Sequence, residues 1–131
     1  MYQSSSGARE LFAALSVNIS IKNLRTGFRG ANVTCGDVLA STLRKNTSLL
    51  ELDLRADVDD EFMVCIAVSL SENGMMDTLV FTSATVYAWG VLALCVSLRT
   101  NKTLKQLMFP TFKSSIPERY GNGVVHLWLY Y

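Results

Sequence analysis

Apolar and polar positions along this chain repeat one motif four times: an apolar anchor, two residues of any kind, then asparagine. It reads Leu15-Ser-Val-Asn18, Leu43-Arg-Lys-Asn46, Leu70-Ser-Glu-Asn73 and Leu98-Arg-Thr-Asn101, with the leucines 28, 27 and 28 residues apart. Three residues after each asparagine stands Ile21, Leu49, Met76 or Leu104, and three further on Leu24, Leu52, Leu79 or Leu107. Two beyond these come Thr26, Leu54, Phe81 and Phe109, and four before each anchor come Leu11, Leu39, Ile66 and Leu94. One column fails once, at Thr26. A fixed period of this length marks an array of repeats.

The spacing within each unit predicts its elements. After the asparagine the pattern ends in strict alternation, which is strand-like. In Leu49-Leu50-Glu51-Leu52-Asp53-Leu54, Leu52 and Leu54 point to one side and Glu51, Asp53 and Arg55 to the other. Before the anchor, apolar residues lie four apart, along one face of a helix. Helices are therefore predicted at 8–17, 35–45, 61–72 and 88–100, and strands near 22–26, 50–55, 77–82 and 105–109. Asparagine follows the helix because it tolerates the left-handed conformation that ends one. A single unit cannot bury both its faces. Stacked units place strands in a parallel sheet and helices in a parallel row, an α/β solenoid of about four units.

The consensus L-x-x-N-x-x-L-x-x-L-x-L at this spacing resembles the ribonuclease-inhibitor class of leucine-rich repeats, seen also in the sensor arms of NOD-like receptors and in Ran GTPase-activating proteins. The resemblance spans roughly residues 11 to 109. It implies a curved solenoid with strands on the concave side, and protein ligands held by concave strand residues. On this chain those positions are Arg25, Glu51, Asp53, Arg55, Thr78, Val80, Thr82, Gln106 and Met108. Arg25 is expected beside Asp53, since neighbouring strands lie about 4.8 Å apart. Two departures stand out. Where the family often has Asn or Cys after the last strand leucine, this chain has Arg29, Asp57, Ala84 and Phe112; and of the glycines eight residues before the anchor, Gly7 and Gly90 alone are present. The expected function is protein–protein recognition, as part of a larger receptor or adaptor. The alternatives are a fragment of a Ran-type GTPase-activating protein, or a nonfunctional truncated fragment.

Composition narrows the classes. The 131 residues are 50% apolar and 18% charged, with a net charge of +1, so nothing draws the chain to nucleic acid. Cys35, Cys65 and Cys95 form no C-x-x-C pair, and His126 is the single histidine. Three reduced thiols and no zinc site are expected, in a reducing compartment, the cytoplasm. Met1 to Glu10 lacks the pattern of a secretory signal. The near-apolar run Val86 to Leu98 is shorter than the roughly 18 residues that mark a membrane span. No cofactor, no membrane and no catalytic set is expected, because no nucleophile has a base in an evident motif.

Two other patterns have ordinary readings. Asp57-Val58-Asp59-Asp60-Glu61 could hold a cation, but acids also gather where a helix begins, to cap it and to meet its dipole. Asn18-Ile-Ser20, Asn32-Val-Thr34, Asn46-Thr-Ser48 and Asn101-Lys-Thr103 match the glycan acceptor pattern, yet three of these asparagines are the repeat's own turn residues. Helix regions 62–70 and 86–98 are apolar on all sides, so something is expected to cover their backs. Self-association through uncapped ends or these helix faces is one such cover. The domain is taken as 1–109, and 110–131 as an irregular segment. That segment either lies along the last strand as a cap or is foreign to the domain, the second being preferred.

Overall fold

The structure, a computed structural model, describes residues 5–29, 33–56, 58–82, 85–86, 88–113 and 122–128. Of these, residues 5, 6, 33, 34, 85, 86, 109–113 and 122–128 are described by their backbone. Helix and strand alternate: α1 (Ser5–Leu15), β1 (Asn23–Phe28), α2 (Val33–Lys45), β2 (Glu51–Ala56), α3 (Asp60–Leu70) and β3 (Thr78–Phe81). After β4 (Thr85–Val86) come α4 (Ala88–Leu98), β5 (Gln106–Lys113) and β6 (Asn122–Trp128). The four main strands pair in parallel in the order β1-β2-β3-β5. The short β4 joins β5 in parallel, and β6 pairs with β5 antiparallel.

Register follows the sequence columns. Leu24, Leu52, Leu79 and Leu107 stand side by side across the four strands. The last three are fully buried, and Leu24, on the edge strand, is part-buried. Leu15, Leu43 and Leu70 are likewise buried, while Leu98 is part-buried, because among the described residues no helix lies beyond α4. Core side chains from the helix row and from the sheet form one cluster. Gly36 on α2 packs against α3: a Cβ there would lie 3.1 Å from the ring of Phe62.

Beyond the broken column at Thr26, β1 runs two residues past its expected end, to Phe28, which is buried opposite Ala56 in register. Its ring meets Phe12 edge-on at 5.7 Å and Phe62 at 6.1 Å. One large residue thus packs beside a small neighbour on β2 and joins the aromatic side chains of α1 and α3.

The asparagines do more than end helices. Asn46 is buried; its Nδ2 donates to the carbonyls of Leu15 (2.7 Å) and Asn18 (3.2 Å) in the preceding unit. Its Oδ1 accepts from the backbone N–H of Ser48 (2.9 Å) and Leu49 (2.7 Å). Asn101 repeats the arrangement, donating to Leu70 and Asn73 and accepting from Thr103 and Leu104. Asn73 donates to Leu43 and accepts from Met75 and Met76. Each asparagine therefore closes its own turn and ties its unit to the one before, satisfying backbone groups that burial would otherwise orphan.

Hydroxyls reinforce these ties. Ser48 Oγ donates to Ile21 O at 3.1 Å and Thr103 Oγ1 to Met76 O at 3.0 Å. On the helix row, Thr42 Oγ1 donates to Phe12 O at 2.6 Å, and Ser97 Oγ donates to Ala67 O. This explains the glycan acceptor look of Asn46-Thr-Ser48 and Asn101-Lys-Thr103: amide and hydroxyl both face the preceding unit, in the core. Asn32 lies outside the described residues.

The C-terminal segment departs from its expected irregularity. β5 continues through Pro110 to Lys113, and β6 pairs with it antiparallel. The β5–β6 register shifts between Phe109 and Phe112, around a proline that has no N–H to give the ladder. No helix among the described residues is long and apolar enough to cross a membrane.

Candidate functional site

The sheet face turned away from the helices carries seven of the nine predicted residues, together with Asn23, in two rows. One row is Asn23, Glu51, Thr78 and Gln106; the next is Arg25, Asp53, Val80 and Met108. Alternation dictates this: Leu52 and Leu54 are buried on β2, so Glu51, Asp53 and Arg55 emerge on the other side. At the β1–β3 end the face forms a groove of about 460 Å³, lined by Asn23, Leu24, Arg25, Glu51, Leu52, Asp53, Thr78 and Val80. Five of the nine predicted residues, Arg25, Glu51, Asp53, Thr78 and Val80, share it.

Charge in the groove is already partly spent. Arg25 Nε lies 3.1 Å from Asp53 Oδ2, as the register requires, with side chains 83% and 23% exposed. An ion pair of that exposure contributes about 0–1 kcal/mol. Asp53 Oδ1 is buried and accepts no hydrogen bond from the described residues. Glu51 is exposed beside it. Across β3 the face becomes neutral at Thr78 and Val80. Arg55, Gln106 and Met108 lie on the same face outside the groove. Thr82 is part-buried and does not line the groove. It lies past the end of β3, and its N–H (2.9 Å) and hydroxyl (3.3 Å) both donate to Leu54 O, tying β3 to β2.

The other candidates resolve into structure. Asp59 caps α3, accepting from the N–H of Phe62 at 2.8 Å, with Asp60 and Glu61 in the first turn. Among the described residues no group of acids, histidines or cysteines is placed to hold a metal; Asp57 and His126 fall outside the described side chains. None of the three cysteines forms a disulfide. Cys65 donates to Asp37 Oδ1 at 3.3 Å. Desolvation first, then this bond and the Asp37 charge, push its pKa up to about 11, so it stays a protonated thiol at neutral pH. Burial also raises Cys35.

These thiols give a direct measurement. Folded protein treated with a thiol reagent at pH 8 is expected to label at the exposed Cys95 first, with Cys65 slower and Cys35 protected until unfolding. The sign of the pH linkage follows. Cys65 holds its proton more tightly folded than unfolded, so its contribution is complete below about pH 9 and is lost as pH rises toward 11. A Cys65→Ser variant should lose less stability over that window than the parent. Equal losses would show that Cys65 is not the titrating group.

Sequence reasoning missed the bridging hydroxyls Thr42, Ser48, Ser97 and Thr103. Their signal was a hydroxyl residue at a fixed register: one before the anchor leucine, or two after the asparagine. It also left unplaced a second groove, on the helix side between α3 and α4.

Comparison with known protein families and with curated proteins finds no match. A solved structure does: "Leiomodin-1 Actin-Binding Site 2 (ABS2)", with a TM-score of 0.64 and 18% sequence identity over 82% of this chain. The match spans 60% of the length of that structure. At this identity the likeness is one of fold.

Proposed function

We propose that this chain is a leucine-rich-repeat stack of the ribonuclease-inhibitor type, residues 1–109, whose concave sheet face recognises another protein. The observation that carries this is the groove on the exposed sheet face. There a charged end, Arg25, Glu51 and Asp53, adjoins a neutral one, Thr78 and Val80. A partner that meets charge at one end and packs at the other would suit it. The reading includes no catalysis: Cys65, bonded to the Asp37 carboxylate, is protonated well above neutral pH and sits on helix α3 rather than on the sheet. Three cysteines outside any disulfide fit a reducing compartment, the cytoplasm.

The test is selection of ligands from a displayed peptide library, followed by mapping. Reversing charge with Asp53→Lys should slow association, roughly tenfold at low salt, with the deficit shrinking as salt rises. Val80→Glu should instead speed dissociation. Actin is the first natural partner to assay, because the similar leiomodin-1 segment is titled an actin-binding site. Ligands whose binding ignores both changes, but falls with substitutions on α3, would overturn the sheet-face reading.

A further inference from the structure

The backs of the four helices differ in chemistry. On α1 and α2 the outward positions hold Arg9, Ala13, Asp37 and Ser41. On α3 and α4 the same register positions hold Val64, Val68, Leu92 and Val96, and Trp89 stands ahead of them at the start of α4. Trp89 is 74% exposed, Val96 55%, Leu92 54% and Val68 46%. Between the two helices runs a groove of about 520 Å³ with no ionisable residue among the described residues of its lining.

We infer that this groove is a self-complementary contact through which two copies of the chain pair back to back. Three features favour a second copy as occupant. A two-fold contact requires that one patch carry both a projection and the recess that receives it. Here the projecting Trp89 and the groove beside it, floored by Ala93 and Ser97, lie on one surface. Second, the lining is uncharged, so the patch meets its own copy without like-charge repulsion. If the α4 helices cross antiparallel, each indole lies over the C-terminal end of the other, where the exposed Arg99 offers a cation to its face. Third, the area fits. A tryptophan contributes on the order of 150–250 Å², and with half-exposed aliphatic neighbours the patch falls in the roughly 300–600 Å² range that marks interaction sites. Two such patches bury less than the roughly 1,200 Å² of tight complexes, so the pair is weak and reversible. It also leaves both sheet faces open, and does not depend on what they bind.

The experiment is sedimentation equilibrium of the full chain from about 1 µM to about 1 mM. The average mass should climb from the monomer's 14.5 kDa toward twice that value. Leu92→Glu and Val96→Glu, both at exposed positions, should keep the mass at the monomer's throughout, with unchanged circular dichroism. Val17→Glu, 81% exposed beyond the end of α1, should pair as the parent does. A parent that stays monomeric to the top concentration overturns the inference. So does pairing that survives Leu92→Glu, or pairing that Val17→Glu abolishes, which would place the contact at the open end of the helix row.

Discussion

Leu52→Ala is expected to lower the unfolding free energy by about 2–5 kcal/mol, with a fall in melting temperature of roughly 10 °C. Leu52 is fully buried at the centre of β2, with Leu24 and Leu79 on either side. Truncation removes the contacts of one side chain and leaves a void that both neighbouring strands line. In an array where each unit touches only its neighbours, a defect in the second unit also weakens the coupling of the first to the rest. With total stability of about 5–15 kcal/mol for a domain, the loss should be plain in the urea midpoint. A cost below about 1 kcal/mol would place Leu52 outside the core.

Asn46→Ala should cost nearly as much, about 2–4 kcal/mol, although it removes a small polar side chain from a turn. The residue makes four hydrogen bonds to backbone groups, two of them into the preceding unit. Deleting its amide strands two carbonyls and two N–H groups, each costing about 1–3 kcal/mol when left unpaired in a buried site, less whatever relaxation recovers. Asn46→Asp separates the two halves of the role. It keeps the acceptor for Ser48 and Leu49 but sets a carboxylate against the carbonyls of Leu15 and Asn18. Measured against the parent at each pH, its deficit should shrink as the pH falls, because a protonated carboxyl can again donate. A cost near zero for Asn46→Ala would reduce the asparagine to a turn preference.

Alternation and period were enough to predict much of the fold. The columns of Leu52, Leu79 and Leu107 on one side, and of Glu51, Asp53 and Val80 on the other, follow from side chains reversing at every strand residue. Because each unit must bury its two apolar faces on its neighbours, parallel order and register followed as well, including the Arg25–Asp53 pair. Asp59 as the cap of α3 was equally local, a matter of one side chain and an N–H three residues on.

What sequence could not decide involved partners from distant units. The asparagine amides and the hydroxyls of Thr42, Ser48, Ser97 and Thr103 bond to carbonyls about 27 to 31 residues away, which no local preference encodes. Phe28, two residues past the expected end of β1, joins the core through the rings of Phe12 and Phe62, which lie on α1 and α3. The C-terminal strand β6 rests on a pairing whose register shifts around Pro110, and strand propensity alone says nothing about which edge a segment will meet. The apolar back of α3 and α4 was visible as composition, but only the packed helices show which side chains remain outside and that they enclose a groove. Burial on a repeat's inner face is a property of one unit's pattern; exposure at its outer face depends on what else the folded chain brings there.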